Sequence, residues 1–433
     1  MTNICVVGTG YVGLVTGTCL AEMGHTVWCV DINEDKINRL NRGETPIYEA
    51  GLDELLHRNQ GVKRLFFSNQ LSVGLAQAEV VFLAINTPSS ESGDADLSYL
   101  SAAVDTIVTH CDTHVGALRF LVIKSTVPVG TGAKIQQRLL PYGISVISNP
   151  EFLREGQAVQ DALYPNRIVV GVNHVDAEKM MRRLYHGYVC RGVPLVVTTV
   201  PTSELIKYAA NSFLATKISF INEMAMLCEA VGADVLDVAH AIGLDQRIGP
   251  HFLSPGPGFG GSCFPKDIQA LQYTAKEKGV DLHVLQAVNQ VNRRQREWVI
   301  RKVTSVVPRP CTIAVLGLAF KAGTDDMRDA PALTILPALL KLGYSIRAYD
   351  PVAMEMAKGF LGHDITYCEG VTATLIGSDV ALILTEWDEF VTYSMADIKQ
   401  HLTQPMVIDC RNILNRQLAS DLGLTIIGIG RGI

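Results

Sequence analysis

The sequence predicts an α/β protein of two doubly wound lobes joined by a helical central domain with one long spine helix, and three observations carry that prediction. Short apolar runs alternate with helix-length stretches through the first two hundred residues. A segment from Ser203 to about Val231 contains neither Gly nor Pro. The last third of the chain then repeats the pattern of the first. Strands alternating with helices in chain order give parallel sheets covered on both faces. The expected domains are residues 1–200, 201–300 and 301–433.

The chain opens with an apolar strand, Ile4–Val7, then Gly8-Thr-Gly10-Tyr-Val-Gly13, a helical pattern through Met23, and a second strand ending at Asp31. A GxGxxG turn between strand and helix, with an acid at the end of the next strand, is the Rossmann-like dinucleotide fingerprint. Gly8 permits the tight turn, Gly10 lets backbone approach a pyrophosphate, and Gly13 lets helix and strand pack closely. Asp31 would accept hydrogen bonds from the adenosine ribose and repel a 2′-phosphate, which favours NAD over NADP. Lys36 either reaches the same ribose or is a solvated helix lysine.

Further strands are expected at Val80–Ile85, Phe120–Ser125, Ser145–Ser148 and Ile168–Val172. The loops Lys124–Pro128 and Ser148–Gly156 fall at the carboxyl ends of strands, where open α/β sheets bind ligands. Glu151 and Glu155, four apart beside Asn149-Pro150, are either ligand-facing groups or acids in a first helical turn.

The Gly- and Pro-free segment would span about 40 Å at a rise of ~1.5 Å per residue, long enough for a spine between lobes or subunits. Lys207 and Asn211 lie one turn apart on one face of it. Among Leu205, Ile206, Tyr208 and Ala209, Lys207 is either a buried ammonium suited to proton transfer or oxyanion stabilisation, or a lysine that snorkels out of the interface.

Phe252 to Asp267 is the most informative stretch: Gly- and Pro-rich through Gly261, then Ser262-Cys263-Phe264-Pro265-Lys266-Asp267. Pro265 suits the first turn of a helix. A thiol at that junction meets unpaired N–H groups and the positive end of the helix dipole, which stabilise a thiolate. Asp267 follows one turn later. A lone cysteine in a Gly-rich loop can also be structural; its place before Pro265 and an acid favours a nucleophile.

In the last third, Thr312–Lys321 echoes the first strand and turn, Gly343–Asp350 the second strand, and Ser378–Thr385 the run at Ala78–Ile85. The glycine fingerprint is lost, since Leu318, Ala319 and Phe320 follow Gly317. The crevice of this lobe is expected to hold something other than a second NAD.

Composition narrows the function classes. The 433 residues are 48% hydrophobic and 18% charged, with a net charge of −6, which excludes a disordered chain and argues against a nucleic-acid groove or a polybasic membrane patch. No leader pattern opens the chain and no 18 apolar residues run uninterrupted, so a cytoplasmic protein is expected. The ten cysteines form no CxxC pair and the histidines no HExxH, so most thiols are expected to be buried and reduced, with no metal site.

With these motifs in hand, the chain resembles the UDP-glucose/GDP-mannose dehydrogenase family over essentially its whole length. The resemblance rests on Gly8–Gly13, Asn86-Thr87-Pro88, Ser125–Pro128, Asn149–Gly156, Glu204–Asn211, Gly260–Asp267 and Lys321–Arg328. It implies a four-electron oxidation at C6 of UDP-glucose to UDP-glucuronate, using two NAD and a thiohemiacetal and thioester on Cys263. Lys207 and Asp267 would hold the proton relay, Asn211 and Lys207 the oxyanion, Glu151 the hydrolytic water, and Thr126 the water network. Val12, Asp31, Lys36, Thr87, Thr126, Glu155, Lys266 and Arg328 would join Gly8, Gly10 and Gly13 as cofactor contacts. Glu151, Phe152, Leu153, Arg154, Lys207, Asn211, Phe252, Leu253, Ser254, Pro255, Gly256, Gly260 and Lys321 would contact the sugar nucleotide. The family pattern also implies a homodimer through the central helices, with Arg247 reaching the neighbouring subunit's substrate.

Two positions depart from the family pattern: Asn86, where Gly is common, and Cys410, where Gly is usual. Cys410 puts packing near the edge of the substrate lobe in question, and neither is expected to touch the chemistry. Competing readings are a dehydrogenase of another sugar nucleotide, GDP-mannose or a UDP-N-acetylhexosamine, and a non-catalytic NAD or sugar-nucleotide binding protein. Retention of Cys263, Lys207 and Asp267 argues against the last.

Overall fold

The computed structural model describes residues 1–90, 93–114 and 117–432, which divide into two compact units: residues 1–210 with 269–280, and residues 211–268 with 281–433. The first unit is built on eight strands: β1 (Asn3–Val7), β2 (Thr26–Val30), β3 (Leu65–Ser68), β4 (Val80–Leu83), β5 (Phe120–Ile123), β6 (Ser145–Ser148), β7 (Ile168–Gly171) and β8 (Leu195–Thr198). Their order in the sheet is β3-β2-β1-β4-β5-β6-β7-β8. The chain winds outward from β1 in both directions, and the crevice at the carboxyl ends of β1 and β4 is a ligand position of the fold. β4, β5 and β7 are buried along their whole length, as strands covered on both faces must be. One core cluster joins Leu14, Leu56 and Met181 to one face of this sheet. A second joins Leu75, Val104 and Ile135 to the other. A fully buried side chain of this kind contributes about 1.5–3 kcal/mol.

The second unit carries β9 (Thr312–Leu316), β10 (Ser345–Tyr349), β11 (Thr366–Tyr367), β12 (Val380–Ile383), β13 (Met406–Asp409) and β14 (Thr425–Gly428), in the order β11-β10-β9-β12-β13-β14 and parallel throughout. Its core also takes Ile221, Ala225 and Cys228 from the helix Val200–Val231 and Val299 and Val303 from the helix His283–Val306. The α/β class and the long helix are as the sequence predicts, with the helix starting three residues early because Pro201 fits its first turn.

Two details differ from expectation. β7 runs antiparallel to β6, through the pair Ser148 and Gly171, so the first sheet is not parallel throughout. β3, β8, β11, β13 and β14 have no counterpart in the expected set. Four of them are sheet edges, where partly exposed faces break the continuous apolar run that marks an inner strand. β13 is an inner strand, but it has only four residues and follows directly on Pro405.

Candidate active site

In the first unit, Gly8 has a φ of +97°, and a Cβ there would come 2.5 Å from the Ala84 carbonyl oxygen. A Cβ on Gly13 would run into the Gly8 carbonyl, so helix and turn meet only because both positions are glycine. Gly10 caps the helix Tyr11–Glu22; no side chain caps that end and its first turn holds no acid. A Cβ on Gly10 would meet nothing closer than Asn86 Oδ1 at 3.7 Å. The cradle is therefore open and electropositive, and it fits a dinucleotide pyrophosphate. Asn86 therefore places its side-chain oxygen beside this turn.

Asp31 follows β2. Its Oδ2 accepts the N–H and hydroxyl of Thr9, each at 2.8 Å, and Oδ1 accepts the Asn33 N–H. Burial opposes its charge, but these hydrogen bonds and the Lys36 ammonium at 3.5 Å outweigh it and hold the carboxyl below the usual carboxylate range. Lys36 thus belongs with Asp31 and is not a free helix lysine. The Thr87 hydroxyl donates to the Thr126 carbonyl at 2.8 Å, and Ser125 bridges to Ile85, so the loops after β4 and β5 are stitched together. Val12, Thr126 and Glu155 are partly exposed.

Residues 149–154 are not helical, and the next helix begins at Ala158. The helical-turn reading of Glu151 and Glu155 therefore fails. Glu151 is buried, with Oε1 2.9 Å from Lys207 Nζ and Oε2 accepting the Leu153 N–H at 2.5 Å. Lys207 is 3% exposed, so it does not snorkel. Burial would raise the Glu151 pKa, but Lys207, the Leu153 N–H and Lys124 together hold it below its ordinary value. The Phe152 ring has the Arg167 guanidinium 3.7 Å above its centroid and Lys207 at 5.5 Å. Leu153 packs on the core, and Arg154 is bound through both arms to Asp161.

In the second unit, Cys263 directly precedes the helix Phe264–Glu277, and its carbonyl accepts the Asp267 N–H at 2.9 Å. Cys263 is partly exposed, whereas burial pushes Cys5, Cys19 and Cys311 up to about 12 and so silences them. Ser262 places its hydroxyl 3.5 Å from the Cys263 sulfur. Asp267 is 1% exposed and fully engaged: Asn211 Nδ2 donates at 2.6 Å and Lys266 Nζ at 2.7 Å. Lys266 and Arg328, both expected at the cofactor, each hold an ion pair within this unit, Arg328 with Asp326.

The loop before Cys263 is held by its backbone. Asn222 accepts the Gly256 N–H and Gln295 donates to the Gly256 carbonyl; Asn292 exchanges two hydrogen bonds with Phe259, and Arg296 donates to the Phe259 and Asp329 carbonyls. A Cβ on Gly260 would collide with the Asp329 carbonyl. Leu253 and Pro255 are buried, Ser254 is exposed, and Phe252 has a φ of +64° with its ring 6.3 Å from that of Phe264. Lys321 lies 5.7 Å over the Phe320 ring. Arg247 is 88% exposed at its side chain and pairs locally with Asp245.

None of Asn222, Asn292, Gln295 and Arg296 was singled out from sequence. Their signal is polarity on the buried face of amphipathic helices, since Asn292, Gln295 and Arg296 continue the buried register of Val288, Val291, Val299 and Val303. Thr9 and Lys124 were likewise given no role.

At the turn after β9, Asp350 Oδ2 accepts the Leu318 and Ala319 N–H groups and Oδ1 those of Val352 and Ala353. Asp350 is fully buried, so it cannot meet a ribose as Asp31 can. Cys410 is buried in the same core, and Arg411 beside it donates to the Leu384 and Phe320 carbonyls.

Three domain models of one family match the chain in order: the UDP-glucose/GDP-mannose dehydrogenase NAD binding domain over residues 2–189, the central domain over 201–294, and the UDP binding domain over 314–416. The chain belongs to the UDP-glucose/GDP-mannose dehydrogenase family. It is 44% identical to the UDP-glucose 6-dehydrogenase TuaD of Bacillus subtilis, over 100% of this chain and 94% of that one. It is 43% identical to a UDP-glucose 6-dehydrogenase of Rhizobium meliloti, over 99% of each. The structure is similar to that of a UDP-glucose dehydrogenase from Pyrobaculum islandicum, with a TM-score of 0.90 and 34% identity over 100% of this chain and 98% of that one. Like the family, this dehydrogenase is an NAD-dependent oxidoreductase. Among the described residues, no helix is long and apolar enough to cross a membrane.

Proposed function

We propose that this dehydrogenase oxidises C6 of UDP-glucose to the carboxylate of UDP-glucuronate, with the domains divided at residues 1–200, 201–300 and 301–433. The observation that carries the four-electron reading is Cys263, partly exposed where a helix opens, one turn before the buried Asp267. An oxidation that stops at an aldehyde or ketone needs no thiol. The sugar nucleotide is the one named for the relatives.

When bound, NAD accepts the hydride that leaves C6, once in each of two oxidations. Asp31 orients the ribose and the Gly8–Gly13 turn the pyrophosphate. As the first hydride departs, water in the relay held by Lys207 and Asp267 takes the hydroxyl proton, giving the aldehyde, and the Asn211 amide with the Lys207 ammonium supports the oxygen as it gains charge. The Cys263 thiolate adds to C6, forming a C–S bond, and loss of the second hydride leaves a thioester. Glu151, ionised beside Lys207, takes a proton from water as the water oxygen bonds to C6; the C–S bond breaks, returning the Cys263 thiolate, and the acid product gives its second proton to solvent and departs as the carboxylate. Thr126 orders that water. Asp267 takes part in the proton relay. The remaining contacts from Phe152 to Arg154, from Phe252 to Gly256, and at Gly260 and Lys321 hold the sugar nucleotide.

Limiting UDP-glucose with excess NAD should yield two NADH per sugar, and NADP in place of NAD should yield almost none. One NADH per sugar would remove the thioester. No NADH with UDP-glucose, but reduction with GDP-mannose or a UDP-N-acetylhexosamine, would reassign the substrate.

The enzyme is further proposed to act in the cytoplasm as a homodimer through its central helices. Phe213, Phe220 and Leu227 support this: they recur every seven residues on one face of the long helix and are 66%, 47% and 53% exposed. Apolar residues so repeated on an open face need a cover. Arg247, exposed, would exchange its local pair with Asp245 for the neighbouring subunit's substrate. Light scattering should give twice the chain mass, falling towards one chain in Phe220→Asp; a monomer at micromolar concentration would end this reading.

A further inference from the structure

Beside the Glu151 loop, the first unit has a partly open cavity of about 90 Å³, room for a few waters. Lys124, Asn149, Glu151 and Arg167 line it. Lys124 is the residue immediately after β5, and its ammonium donates to Asn149 Oδ1 at 3.2 Å and to the Pro150 carbonyl at 3.5 Å. The Tyr185 hydroxyl donates to the same Asn149 oxygen at 2.6 Å, and Asn149 Nδ2 donates to the Val169 carbonyl. The corner from which Glu151 departs is therefore fixed from three strands, β5, β6 and β7.

The charge count around this corner is uneven. Glu151 faces two cations, Lys207 and Lys124, while the Arg167 guanidinium lies over the neighbouring Phe152 ring. Asp161, also on the cavity wall, is neutralised by Arg154. Tyr185, Tyr188 and Cys19 on the same wall stay neutral because burial pushes each of them up. Part of the Lys124 side chain is accessible along the cavity, but it lies deep in the unit. Burial lowers its pKa to about 8, with Glu151 opposing that shift and Lys207 adding to it.

We propose that Lys124 is a positioning residue for the oxidation: it holds the Asn149-Pro150 corner and supplies a second cation to Glu151, keeping that carboxylate ionised while Lys207 supports the substrate oxygen. The inference rests on the proposed role of Glu151. Its sign follows from the charges. Below pH 8 Lys124 is an ammonium, and as pH rises through about 8 it releases its proton. Removing Lys124 takes away one of the groups that hold Glu151 ionised, so Glu151 protonates at higher pH.

The test is the pH profile of kcat and kcat/KM for UDP-glucose oxidation by wild type, Lys124→Met and Lys124→Arg. Met keeps the bulk of the stem and leaves no buried charge, so it should fold; if it does not, Lys124→Gln takes its place. In the Met variant the acid limb should move up by about half a unit or more and the inflection near pH 8 should vanish, with KM for NAD unchanged. Arg should restore the acid limb and, staying charged, should still lack the inflection. A uniform loss of kcat with the wild-type profile would reduce Lys124 to a structural lysine and overturn the proposal, as would a wild-type profile and rate. A wild type without UDP-glucose activity would instead overturn the functional reading beneath it.

Discussion

Cys263→Ser should lower steady-state turnover by at least about 10³-fold, because a serine hydroxyl is almost wholly un-ionised at neutral pH and is a far weaker nucleophile than a thiol. The thiol has an advantage of place: it opens a helix whose first N–H groups and dipole favour an anion, and it is partly exposed. An alcohol there gains the same field but starts many units further from ionisation. With enzyme in excess over UDP-glucose, the variant should still release the first NADH and accumulate either free aldehyde or an ester adduct on the substituted hydroxyl, visible by intact mass. Wild-type turnover, or two NADH per sugar at the normal rate, would remove Cys263 from the chemistry. Loss of the first NADH as well would place the thiol earlier in the reaction than the thioester.

How far the sequence carried this assignment depends on what kind of signal each residue leaves. Gly8, Gly10, Gly13 and Asp31 were legible because backbone approach to a phosphate restricts residue type at fixed spacing, and the structure adds only that Thr9 locks Asp31 in place. Cys263 was legible for a similar reason, as a thiol ahead of Pro265. Lys207 and Glu151 were each left with two readings, since whether a charged group is buried depends on what folds over it, and the two partners are far apart in sequence. Lys124 was legible only as the first residue of a loop at a strand end. A lysine there is ordinarily a solvated terminus, and only the packing of β6 and β7 beside it encloses the ammonium. The edge strands were missed on the same ground, because their burial depends on partners that local pattern does not name.

That dependence makes the buried pair the most informative place to perturb the enzyme. Lys207→Met should lower kcat about 10²–10⁴-fold, the range for losing a positioned proton-transfer group. It should also destabilise the first unit by about 3–5 kcal/mol, the cost of a buried carboxylate whose partner is removed, or by less if Lys124 moves in to replace it. The double variant Lys207→Met with Glu151→Gln carries no such orphan, so most of that stability should return. Its activity should not, because neither the ammonium that holds the relay nor the carboxylate that takes a proton is there. Unfolding midpoints and kcat measured on both single variants and the double separate the two effects. If the double variant is merely the sum of the singles in stability, Glu151 and Lys207 are not a coupled buried pair. If the double variant regains activity, the pair serves the fold, and the proton transfer must be assigned to Asp267 and its Asn211 and Lys266 partners.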